Sequence, residues 1–139
     1  MAYVSMNFSP KSGRGLRLDY YDFSVNRKRT YHIVFSQSFT NTLREEGMKK
    51  ADVMMDDQTG EVVLAFSADK GMKLVGKARG AQEAAEGANY HNLCLCNKAA
   101  VQFICDKAGI RGDYAVLQMS DNLSDEPGVR YHKIIGKKR

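Results

Sequence analysis

The sequence predicts an α+β fold rich in strands. The expected form is a barrel or sandwich built from two strand–helix–strand–strand (βαββ) units, with two short helices and an N-terminal β-hairpin. Three observations carry this expectation. Short apolar stretches with β-branched and aromatic residues recur between turn clusters. Two short apolar helical faces each follow a polar capping residue and end at a glycine. Those landmarks repeat at a fixed distance, with Ser36 and Asn97 61 positions apart and Gly47 and Gly109 62 positions apart.

Residues 2–8 (AYVSMNF) are β-like, and 9–13 (SPKSG) form a turn cluster. Residues 16–23 (LRLDYYDF) alternate well enough for a half-buried strand, with a break at Tyr20–Tyr21. A polar break at 26–29 (NRKR) separates them from 30–35 (TYHIVF), a second strand, so the pair predicts a hairpin with a basic tip. Ser36 is a helix N-cap, Phe39 and Leu43 share a helical face, and Gly47 is a left-handed helix stop. Residues 53–55, a turn at 56–60 (DDQTG) and residues 61–66 (EVVLAF) complete the first unit as a hairpin. The second unit repeats the order. It has a strand at 90–96, the cap Asn97, a face of Val101, Ile104 and Cys105, the stop Gly109, a strand at 114–119, a longer loop at 121–127 and a strand at 129–135.

A chain of 139 residues predicts one domain. Its expected parts are an N-terminal hairpin (1–30), the first unit (31–67), a connector (68–89), the second unit (90–135) and a basic tail (136–139). The connector reads as solvated, with a short apolar piece at 72–75 as a candidate strand.

Residues 33–53 (IVFSQSFTNTLREEGMKKADV) run from a strand through a polar cap and short helix to Gly-apolar-basic, then an Asp before a strand. Residues 96–114 carry the same pattern in the second unit. In this the chain resembles AbrB-like transcription regulators, and its tandem βαββ units resemble the cradle-loop barrels. The resemblance implies a barrel of interlocked halves and a DNA-binding role.

The formal net charge of +5 is unevenly spread. Residues 1–30 carry +4 and residues 127–139 carry +5, whereas residues 31–126 carry −4. Basic ends on a mildly acidic body suggest a negatively charged partner. The candidate nucleic-acid-binding residues are Arg14, Arg17, Tyr20, Tyr21, Arg27, Lys28 and Arg29 in the hairpin, Lys70, Lys73, Lys77 and Arg79 in the connector, and Lys137, Lys138 and Arg139 in the tail. Cations there neutralise phosphates, exposed tyrosines stack on bases, and connector glycines let backbone approach a phosphate.

The expected function is therefore non-catalytic binding of nucleic acid, DNA ahead of RNA. The rival is a small protein-binding module, such as a phage or mobile-element protein that blocks or assembles with a host partner. No HExxH, GxSxG, Walker A or Rossmann pattern occurs, so neither an enzyme nor a cofactor is expected. Cys94, Cys96 and Cys105 lack zinc-site spacing and are odd in number, which predicts buried free thiols in a reducing compartment. His32 and His91 occupy near-equivalent places in the two units. Without a signal peptide or a membrane-length apolar run, a cytoplasmic location and no membrane contact are expected. A homo-oligomer is expected too, through pairing of edge strands from the N-terminal hairpin.

Overall fold

The computed structural model describes residues 18–28, 30–76 and 92–138. In chain order the elements are β1 (Asp22–Asn26), β2 (His32–Phe35), α1 (Gln37–Glu45), β3 (Lys50–Met55), β4 (Val62–Ser67), β5 (Met72–Lys73), β6 (Val75–Gly76), β7 (Leu93–Leu95), α2 (Lys98–Ala108), β8 (Tyr114–Met119) and β9 (Val129–Lys137). The strands form one antiparallel sheet in the order β5-β3-β4-β9-β8-β1-β2-β7-β6. Its first and last strands are separated in the chain by Leu74 alone. Residues 72–76 therefore pair with β3 on one side and β7 on the other, which nearly closes the sheet into a barrel. Residues 72–76 of the connector are thus a piece of the sheet.

The helices close opposite ends. β2 and β7 are antiparallel neighbours, with Ile33 opposite Leu95. α1 leaves the last residue of β2 and α2 leaves the last residue of β7, so they depart in opposite directions. Both start and stop as their local sequences dictate. Ser36 Oγ accepts from the Phe39 amide at 3.1 Å, and Asn97 Oδ1 accepts from the Ala100 amide at 2.9 Å. Gly47 (φ +69°) and Gly109 (φ +71°) take the left-handed conformation. The amides of Met48 and Ile110 then reach back to Leu43 O and Cys105 O, closing the same Schellman turn twice.

The core is one buried cluster. Phe23, Phe35, Phe39 and Phe66 are fully buried, with Phe39 5.7 Å from Phe35 and 5.2 Å from Phe66 between ring centroids. Val101, Ile104 and Cys105 of α2 join the cluster from the other end.

Three expectations change. The strand expected over 16–23 instead begins at Asp22 and runs to Asn26. The Asp22 amide bonds Asp19 O at 3.0 Å and the Asp19 amide bonds Asp22 Oδ2 at 2.8 Å, so Tyr20 and Tyr21 sit in a turn. β1 lies between β2 and β8 and offers no free edge for pairing between subunits. Cys94 and Cys105 are buried, but Cys96 is exposed because it falls just beyond the end of β7. The strand and turn expected over 2–13 lie outside the described residues, as does His91. Among the described residues no helix is long and apolar enough to cross a membrane.

Candidate functional site

At the α1 end, three elements bring cations together. Arg44 lies on the last turn of α1, and its guanidinium lies against Gly76. Lys49 follows the Schellman turn and is held by backbone bonds, its amide to Ser67 O at 3.0 Å and its carbonyl from the Leu74 amide at 2.9 Å. Lys50 opens β3 directly opposite Lys73 of β5. Arg44, Lys49 and Lys73 line a depression of about 260 Å³ whose apolar floor is Met48, Leu74 and Leu93. Among the described residues no carboxylate lines it. Lys49, Lys50 and Lys73 form no ion pair among the described residues. Two lysines directly opposite each other across a strand pair repel. The arrangement gains by taking up an anion.

The expected site residues fall in separate places. Lys73 belongs to this cluster. Lys70 lies in the preceding turn, braced by mutual bonds with Ser67 at 3.0 and 3.2 Å. Tyr20 and Tyr21 pack edge-on against each other at 4.7 Å and against Phe39 at 6.0 and 6.2 Å. The Tyr20 hydroxyl bonds Thr42 Oγ1 on α1. Burial, and then the charge of Asp121, raises the Tyr21 pKa. Both rings thus brace α1.

Arg27 lies at the other end of the barrel. Asn26 pairs with His32, the first residue of β2, whereas α1 follows the last. Arg27 donates from Nε and Nη2 to Gly112 O at 3.1 and 2.7 Å and from Nη2 to Ile110 O at 3.1 Å, pinning the hairpin tip to the α2–β8 turn. Lys28 beside it is exposed. Lys137 is exposed on β9. Lys138 donates to Asp22 and, at 2.8 Å, to Asp19, and these bonds hold its ammonium above the usual lysine range. Arg14, Arg17, Arg29, Lys77, Arg79 and Arg139 lie outside the described residues. Arg44, Lys49 and Lys50 are additions that sequence reasoning missed. Glu45 and Glu46 lie between Arg44 and the two lysines and offset their charge along the chain. In space Glu46 is taken up by Arg130, whose Nη1 donates to its Oε2 at 2.7 Å.

Beneath the same end lies a buried polar relay. His132 is fully buried among Phe39, Phe66 and Tyr21. Its Nε2 accepts from Arg130 Nε at 3.1 Å, so its Nδ1 carries the proton that is donated to Ser120 O at 2.8 Å. Burial, aided by the Arg130 charge, pushes its pKa down to about 4 against the opposing pull of the Ser120 bond and Asp121. The imidazole is therefore a neutral structural link from β9 to α1 through Arg130 and Glu46. His32 is half-buried and bonds Thr30 Oγ1 at 2.9 Å.

Compared with known proteins, the chain matches no family model, no curated protein and no solved structure.

Proposed function

We propose that this chain is a non-catalytic nucleic-acid-binding protein, with DNA ahead of RNA as its target. The observation that carries the reading is the cluster of Arg44, Lys49 and Lys73 around a depression that no carboxylate among the described residues lines, with Lys50 directly opposite Lys73. Such a cluster suits a phosphate backbone, since each phosphate neutralised releases condensed counterions. A phosphate between Lys50 and Lys73 turns their mutual repulsion into two attractions. The floor of Met48, Leu74 and Leu93 suits the apolar side of a sugar or base. In this reading β2–α1–β3–β4 and β7–α2–β8–β9 are two copies of one βαββ repeat of the AbrB-like or cradle-loop type. The matched caps and Schellman turns support that duplication.

The test is a titration of labelled DNA and RNA oligonucleotides, duplex and single-stranded, at several salt concentrations. Affinity should fall steeply with salt, and Lys49→Gln/Lys73→Gln should reduce the slope of log K against log salt on duplex DNA by about 2. Absence of binding at low salt, or an unchanged slope in the double variant, overturns the reading. Tighter binding of RNA overturns the choice of DNA.

A further inference from the structure

The outer face of β3, β4 and β9 carries a second feature, opposite in sign to the cation cluster. Asp52, Ala65 and Tyr131 stand side by side across these strands, and Met54 stands opposite Val63 in the next row. The loop from β8 to β9 runs beside β9 and borders this face. The Leu123 amide bonds Tyr131 O at 2.8 Å, and Asn122 Oδ1 accepts from the Tyr131 amide at 3.0 Å. The result is two adjoining depressions of about 520 and 270 Å³ that share Met54 and Tyr131. Their floor is apolar and open: Met54 is 45%, Met55 47% and Leu123 59% exposed. Four carboxylates flank it, namely Asp52, Asp56, Asp57 and Glu126, and Lys70 is the one cation among the described lining residues. None of the four carboxylates forms an ion pair with a described residue.

We infer that this groove docks a basic, apolar-anchored segment of another polypeptide. The argument is charge complementarity. An acidic rim around an apolar floor on a chain of net charge +5 repels phosphate and attracts lysine and arginine, whose aliphatic stems also cover apolar surface. Flexible thioethers such as Met54 and Met55 adapt to varied apolar anchors. Both features favour a cationic peptide segment over nucleic acid. The inference stands apart from the proposed nucleic-acid function, because the two surfaces carry different residues and opposite charge.

The probe is a short labelled peptide of alternating leucine and lysine, titrated by fluorescence anisotropy against the full chain. A leucine–glutamate peptide is the comparator. The lysine peptide should bind at least about tenfold more tightly than the comparator. Met54→Asp and Leu123→Asp, both at exposed positions, should each weaken it about tenfold, and Asp52→Lys/Asp57→Lys should reverse the preference. Lys49→Gln/Lys73→Gln should leave peptide binding unchanged while altering the nucleic-acid titration. Equal binding of the two peptides, or indifference to Met54→Asp and Leu123→Asp, overturns the inference. Light scattering supplies the remaining outcome: a dimer of the parent chain that Met54→Asp dissociates assigns the groove to a second copy and overturns it as well. Unchanged circular dichroism of each variant ties these results to the surface.

Discussion

The two ends of the barrel are closed by helices with the same local grammar and filled with different chemistry. α1 and α2 each begin on a side-chain cap, end in a Schellman turn and drop an apolar face into the core. Beneath α1, however, Phe39 meets Phe35, Phe66, Tyr21 and the buried His132, with Arg130 over its ring at 5.8 Å. The residues that α2 itself buries are Ala100, Val101, Ile104 and Cys105, and the one titratable group among them, the Cys105 thiol, is pushed up by burial. Local sequence thus sets where each helix starts and stops. What it rests on sets what that end can do. The α1 end holds a polar relay and a cation cluster, and the α2 end holds an aliphatic plug pinned from outside by Arg27.

The sharpest way to separate the ends is pH. The folded-state pKa of His132 is depressed to about 4 from an ordinary 6.5. The neutral form belongs to the fold, and the unfolded chain binds the extra proton. The stability this provides is fully present above about pH 6.5 and is lost as pH falls toward 4. At about 1.36 kcal/mol per pKa unit the loss approaches roughly 3 kcal/mol. Protonation places a charged donor against Arg130 Nε, and the charge of Asp121 offsets this in part. In urea unfolding at pH 7 and pH 4.5, His132→Gln should show a flatter pH dependence than the parent, whatever its stability at pH 7. An Ile104→Val variant at the other end should keep the full slope. Equal slopes for the parent and His132→Gln would remove His132 as the source of the difference.

These contrasts were legible in the sequence to different depths. The caps, the glycine stops and the β3–β4 hairpin depend on residues within a few positions of one another, so local sequence places them. β1 differs from the expected strand because Asp22, Ser24 and Asn26 have no intrinsic strand preference. They are strand because β2 and β8 pair with them from both sides. Arg27 and Lys138 looked like free cations on a tip and a tail, but their partners at Gly112 and Asp22 lie 85 and 116 residues away. The cluster of Lys49, Lys50 and Lys73 exists only because residues 72–76 close the barrel. Its charge is hidden along the chain by Glu45 and Glu46. His132 could be placed on a strand, yet nothing local marked it as buried.

The N-caps give a smaller contrast. Asn97 makes one capping bond, whereas Ser36 Oγ also donates to Tyr20 O at 2.7 Å and so ties the turn before β1 to the start of α1. Asn97→Ala should cost about 1 kcal/mol, and Ser36→Ala roughly 2 kcal/mol, because the part-buried bond to the Tyr20 carbonyl is lost with the cap. Chemical denaturation of the two variants measures both. If the costs are equal, the bond to Tyr20 contributes nothing.

The helix stops should show no contrast at all. An added Cβ at Gly47 or at Gly109 meets nothing within 4 Å, so neither substitution creates a clash. What remains is the cost of holding an L-residue at φ +69° or +71°, which is about 1 kcal/mol and the same at both ends. Gly47→Ala and Gly109→Ala should therefore lower stability equally, although one stop lies beside the cation cluster and the other beside the aliphatic plug. A difference between them larger than about 0.5 kcal/mol would mean that the surroundings reach into the turn itself. The separation of shared helix grammar from end-specific chemistry would then fail at its most local point.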